Sequence, residues 1–133
     1  MQHDTLHQAV HHAGRLVNVR GALLSKEVTR ISAVELVFES LTITFSVDSE
    51  FDTIIASSLP LSSEELICPA VQPFWEHCLG KRLQWAWRLT NQQGYEDGIR
   101  FGFQNTDESD YAYIELIAAA SSFDFFTVNR VEV

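Results

Sequence analysis

The chain has 133 residues, 18 acidic against 9 basic, for a net charge of −9 and a pI near 4.8. Its basic residues are scattered, so a phosphate backbone would be repelled and nucleic-acid binding is disfavoured. A chain of this length hides roughly two-thirds of the surface its unfolded form exposes, enough for a core that needs no disulfide or metal.

Leu6, Ala9, Val10 and Ala13 follow the i, i+3, i+4, i+7 spacing of an amphipathic helix, with Asp4 placed to cap its start and Gly14 its end. This predicts a helix within 1–14. Met1 to Ala13 lack the basic flank and apolar run of a leader. No segment reaches the roughly 18 uninterrupted apolar residues of a membrane span, so no membrane association is expected.

From Arg15 the period changes to two, through Val17 and Val19, then Val34, Leu36 and Phe38, then Leu41, Ile43, Phe45 and Val47. Strands are therefore expected across 15–56, with Glu39-Ser40 a tight connection and Thr53 to Ala56 extending the sheet. Ser57 to Pro69 reads as loop. A second helix is expected over Val71 to Leu79, with Pro73 in its first turn, Trp75 and Cys78 inward and Gly80 stopping it. Residues 81–133 read as a four-strand meander over 83–90, 98–104, 111–120 and 123–131. The expectation is a single α+β domain over 1–133, a mainly antiparallel sheet with both helices packed on one face.

The meander is the most informative stretch. Uninterrupted alternation puts Leu83, Trp85, Trp87 and Leu89 on one face of a strand, and Ile99, Phe101 and Phe103 on one face of the next. A register with Trp87 opposite Phe101 and Trp85 opposite Phe103 keeps both tryptophans in the core and sets Arg88 opposite Arg100. The next hairpin, turning over Asn105 to Asp110, then sets Arg100 opposite Glu115. Ala86 and Gly102 make a shallow dip beside Tyr113, whose ring is expected to shield the glycine. Gly94 or Gly98 should take positive φ in the first turn.

Chemistry is sparse. His3, His7 and His11 have the one-turn spacing that can hold zinc or nickel, yet a third ligand and supporting shell are wanting. Asp48, Glu50 and Asp52 alternate at a strand end but lack the glycine and distal glutamate of a calcium loop. Cys68 and Cys78 fit no Cys-x-x-Cys or zinc spacing. No metal or cofactor is expected, and two free thiols point to a reducing, cytoplasmic setting. Arg88 and Arg100 beside Glu115 form the best candidate for a tuned carboxylate, while an open sheet face would make them an ordinary surface ladder.

The run from Gly80 to Phe101, with Asn91-Gln-Gln-Gly-Tyr-Glu-Asp-Gly98 as its most specific part, resembles a family of small uncharacterised bacterial proteins classed as a domain of unknown function. Phe51-Asp-Thr-Ile54 and Ala120-Ser-Ser-Phe123 extend the likeness over residues 15 to 130. The resemblance implies a bacterial cytosolic origin and supplies no activity, cofactor or catalytic residue.

Two functions remain in play. One is a non-enzymatic protein-binding or inhibitor module, immunity-like in size and charge, meeting a basic protein through the polar sheet face or through Tyr95, Glu96 and Asp97 at the hairpin turn. The other is a small-ligand binder or enzyme using Arg88, Arg100, Tyr113 and Glu115, which needs a concave pocket around Glu115. A homodimer burying the same face is a further arrangement.

Overall fold

The structure, a computed structural model, describes residues 2–25, 30–48, 50–62, 67–68, 71–105 and 111–128, with residues 2–4 described in backbone only. The side chains of His3 and Asp4, residues 63–66 and 69 of the expected loop, the turn at 106–110 and residues 129–131 of the last expected strand lie outside the described residues.

Helix α1 (Gln2–His12) is followed by strands β1 (Leu16–Leu23), β2 (Ile31–Phe38), β3 (Thr42–Asp48), β4 (Thr53–Ser57) and β5 (Ile67–Cys68). Helix α2 (Gln72–Trp75) runs on as a 3-10 turn over Glu76–Cys78, and β6 (Arg82–Thr90), β7 (Glu96–Gln104), β8 (Tyr111–Ala119) and β9 (Ser122–Val128) complete the chain. Pro73 stands in the first turn of α2, where its missing N–H leaves no intrahelical bond unmade. Asp4 falls inside α1 rather than ahead of it, because the helix already begins at Gln2.

The strands form one antiparallel sheet in the order β4-β3-β2-β9-β8-β7-β6, with β1 also paired to β2 and β5 to β1. The sheet curls into a half-barrel. The start of β1 meets the start of β6 where Arg15 bridges Arg82, Leu16 N–H donates to Lys81 O at 2.9 Å, and Gly80 N–H donates to Leu16 O at 2.8 Å. The mainly antiparallel α+β architecture is the one the alternation predicts.

The concave side holds the core. Trp75 of α2 is fully buried, its ring centre 5.8 Å from that of Phe101 and 6.3 Å from that of Phe103, and Phe45 meets Phe101 edge-on at 5.4 Å. Val34, Leu36 and Phe38 point inward as expected, and Leu6 and Ala9 of α1, with Ala13 just after it, close one side.

Two bulges correct the simple alternation. In β1 the register shifts between Leu16 and Asn18, so Leu16 and Val19 are buried while Val17 faces solvent. In β6 the register shifts between Leu83 and Trp85. Leu83 faces Phe103 in the core, Gln84 is the extra residue, and from there Trp85 stands opposite Gly102, Ala86 opposite Phe101, Trp87 opposite Arg100 and Arg88 opposite Ile99. The expected inward tryptophans are therefore outward, 42% and 43% exposed. The physical reason is α1, which packs on β6: small Ala86 lets the helix approach, two indoles would hold it off, and Trp75 already fills the core they were expected to fill.

On the reverse face of β2, Glu35 is only 1% exposed. Arg20 grips its carboxylate from the neighbouring strand, and Leu61 N–H donates to Oε2 at 2.8 Å, so the chain after β4 straps over this face with Leu61 packed near Ala22 and Ala33.

Candidate functional site

The bulge at Gln84 places Trp85 and Trp87 on the outer face of the sheet, and the undisturbed β7–β8 register brings Tyr111 and Tyr113 to the same face. Gly102 lies between them. A β-carbon built there would meet Tyr113 Cε1 at 3.2 Å, Trp87 Cζ3 at 3.4 Å and Trp85 Cε3 at 3.5 Å, so the absence of a side chain lets three rings settle onto β7. The expected shielding of Gly102 by Tyr113 is present, with the two indoles sharing it.

The four rings form a continuous platform. Trp85 and Trp87 are stacked at 6.4 Å with planes 16° apart, Tyr111 and Tyr113 at 5.6 Å and 11°, and the pairs meet across β7 at 5.5 Å for Trp85–Tyr111 and 6.4 Å for Trp87–Tyr113. Phe126, opposite Glu115 on β9, adds an exposed ring. Such offset, near-parallel contacts hold aromatic side chains in fixed rotamers while leaving apolar surface uncovered.

Arg100 and Glu115 sit beside the platform as the predicted cross-strand pair, with Arg100 Nε donating to Glu115 Oε1 at 2.6 Å. The expected third member is elsewhere. Arg88 lies on the inner side of β6, facing Ile99 and donating from Nη1 to Glu96 Oε2 at 2.9 Å. The two-arginine clamp on Glu115 is thus replaced by a single pair. A cavity of about 200 Å3 reaches Tyr113 from the side of Phe74, His77 and Lys81, and Glu115 does not line it.

The hairpin turn is closely tied. Gly94 stands at φ +88°, Asn91 Oδ1 accepts from Gln93 N–H at 2.9 Å and Tyr95 N–H at 3.2 Å, and Asn91 Nδ2 donates to Asp97 Oδ2 at 3.1 Å. Tyr95 is exposed, its ring stacked on that of Phe51 at 6.5 Å. Glu96 and Asp97 are therefore engaged within the chain, and the hairpin is anchored by Leu83, Ile99, Phe101 and Phe103 in place of the tryptophans expected to do so.

The other ligand-like groups have structural partners. Asp48 Oδ1 accepts from Glu50 N–H at 2.9 Å and Asp52 Oδ1 from Ser121 N–H at 2.8 Å. His7 and His11 are exposed with ring centres 4.3 Å apart. Among the described residues no three metal-ligating side chains converge. Both cysteines are free, and burial pushes the Cys78 thiol up to about 12, which leaves it protonated at neutral pH.

Sequence reading missed Trp85, Trp87 and Phe126 as surface residues. A signal was present in β7, where Gly98 and Gly102 occupy one face: a sheet face stripped of two side chains calls for large neighbours, and β6 supplies them only if its aromatic residues turn outward.

A curled antiparallel sheet with two short helices on its concave side and an aromatic platform on its convex side defines an α+β protein whose distinguishing surface is a sheet face. The chain belongs to the Family of unknown function (DUF6334), which it matches over residues 1–132. No curated protein and no solved structure matches it. Among the described residues no helix is long and apolar enough to cross a membrane.

Proposed function

We propose that this is a non-enzymatic protein-binding module, of the inhibitor or immunity-like kind, that meets its partner through the outer face of β6–β8. One observation carries the reading: four mutually packed tryptophan and tyrosine rings lie on the open side of a rigid sheet, beside an arginine. Tryptophan, tyrosine and arginine dominate the energetics of protein interfaces, and rings already fixed by their neighbours lose little freedom on binding. The −9 charge supports a basic partner through faster encounter. Two free cysteines support a reducing compartment, the bacterial cytosol.

The competing reading, a small-ligand or catalytic site using Arg88, Arg100, Tyr113 and Glu115, has less support because β6 turns Arg88 to the opposite face. A second contact surface is favoured by the exposed Phe51–Tyr95 stack at the hairpin end, where Tyr95, Glu96 and Asp97 lie together.

The test is paired affinity capture from the native cell, with the wild-type chain and a W85A/W87A variant as baits, followed by titration of the purified partner. Enrichment by wild type and loss of at least tenfold in affinity for the variant is expected. Equal capture by both baits, with Tyr95→Ala abolishing it, moves the interface to the hairpin end.

A further inference from the structure

Between β2 and β9 the sheet is held by one residue pair, Ile31 opposite Phe123, whereas the neighbouring β8–β9 ladder has seven. The strands part on either side of that pair, and the half-barrel has a seam there. Beneath the seam lies a cavity of about 310 Å3 whose walls are Ile31, Val71, Phe74, Phe123 and Phe125. Ile31, Val71 and Phe123 are buried, while Phe74 is half-exposed and stacks on Phe125 at 5.6 Å with planes 21° apart, forming one side of the entrance. The volume is at the lower end of the range for small-molecule sites, and the lining is of the kind they have: apolar walls with a few polar groups.

Arg30 and Asp124 also line this cavity. Arg30 immediately precedes β2 and Asp124 follows Phe123 in β9, so a cation and an anion flank the Ile31–Phe123 pair on the wall of an apolar cavity. Both are exposed, and no ion pair joins them. Arg30 Nη2 makes one long hydrogen bond, 3.3 Å to Ala119 O, which leaves most of its donors for another acceptor.

We propose that the seam is a binding site for a small apolar zwitterion, of the class of a free α-amino acid with an aromatic or branched aliphatic side chain. The side chain enters between Val71, Phe74 and Phe123, the carboxylate is taken by the Arg30 guanidinium, which suits that planar group, and the ammonium faces Asp124. A neutral hydrocarbon would leave both charges unused. A dianion would set a second negative charge beside Asp124. The site is separate from the outer aromatic platform, so it adds a small-molecule input to a protein-binding chain.

Cys68 provides a local reporter, since its half-buried thiol lines the same cavity. The experiment titrates phenylalanine and leucine, with 3-phenylpropanoate and 2-phenylethylamine as analogues lacking one charge each, and reads both calorimetric affinity and the rate at which a thiol reagent labels Cys68. Phenylalanine or leucine should bind and slow Cys68 labelling at least fivefold, and each analogue should bind at least tenfold more weakly. Arg30→Gln should weaken the amino acid and 3-phenylpropanoate at least tenfold while leaving 2-phenylethylamine within twofold. Phe74→Ala, at a half-exposed position, should weaken all ligands. Absence of binding and of Cys68 protection at 10 mM amino acid overturns the proposal, as does binding that neither Arg30→Gln nor Phe74→Ala changes. Stronger binding of 3-phenylpropanoate than of phenylalanine overturns the zwitterion assignment in favour of a simple apolar carboxylate.

Discussion

Arg20 holds Glu35 through two parallel hydrogen bonds, Nε to Oε1 at 2.6 Å and Nη2 to Oε2 at 2.9 Å, with the carboxylate 1% exposed and the guanidinium 38%. The Arg20 bonds, aided by Leu61 N–H, hold the Glu35 carboxyl below its ordinary value against the opposing effect of burial. A depressed folded-state pKa stabilises the fold above the usual carboxylate range, and this contribution is lost as pH falls through and below that range. Glu35→Gln should therefore be less stable than wild type at neutral pH, with the gap closing in acid. Glu35→Ala should lower unfolding free energy by about 2–3 kcal/mol in urea titrations, less than for a fully buried pair because Arg20 can turn to water. A pH-independent gap between wild type and Glu35→Gln would count against this account.

The three tryptophans should separate by role. Trp75→Ala removes a fully buried ring that touches Phe101 and Phe103 and should cost about 3–5 kcal/mol, whereas Trp85→Ala and Trp87→Ala should each cost about 1 kcal/mol or less. Tryptophan fluorescence provides a second check: W85A/W87A should retain only the blue-shifted emission of a buried indole. Emission near that of free indole from this variant would place Trp75 in water.

Gly94 and Gly98 should fail for different reasons when replaced. Gly94 has positive φ and nothing within 4 Å of an added β-carbon, so Gly94→Val should lose about 1 kcal/mol or more through backbone strain alone, and Gly94→Asn should recover much of it. At Gly98 a β-carbon would stand 2.8 Å from Ile117 Cδ1 and 3.0 Å from Leu89 Cβ. Gly98→Asn should therefore be no better than Gly98→Val. Equal rescue by asparagine at both positions, read from denaturation midpoints, would contradict the distinction.

The two thiols should react in sequence. Cys68 is half-buried, while the Cys78 thiol is buried and pushed up to about 12. At pH 8 one equivalent of a thiol reagent should be consumed at Cys68, and the second only after denaturant is added. Simultaneous modification of both cysteines in the folded protein would show that the segment around Cys78 opens readily.

What could be read in the sequence depended on whether alternation ran unbroken. The β7–β8 register was legible, and with it Arg100 opposite Glu115, because Ile99, Phe101 and Phe103 alternate with polar or glycine positions and meet Ile114 and Leu116 without interruption. The Gln84 bulge was not, since residues 83–89 alternate cleanly in sequence, with every large apolar side chain at an odd position, and the extra residue that breaks the ladder leaves no mark in that pattern. Burial of Glu35 was equally hidden. Its partners Arg20 and Leu61 come from 15 positions before it and 26 after it, and only the folded strap brings them over the strand. Tyr95 precedes β7, but Glu96 and Asp97 already belong to that strand, and their bonds to Arg88 and Asn91 come from side chains whose pairing the motif does not spell out.

The bulge at Gln84 makes the identity of this protein's outer surface a matter of length rather than of residue type. Deleting that residue alone would turn Trp85 and Trp87 toward α1 and bring Ala86 and Arg88 to the outside, with every other side chain conserved. Two members of the family differing by one residue here would thus present unlike faces at nearly full identity, and any alignment that closes the gap a few positions away would match solvent-facing positions with helix-facing ones. For this family, the placement of a single gap at the start of β6 determines which residues are compared as surface.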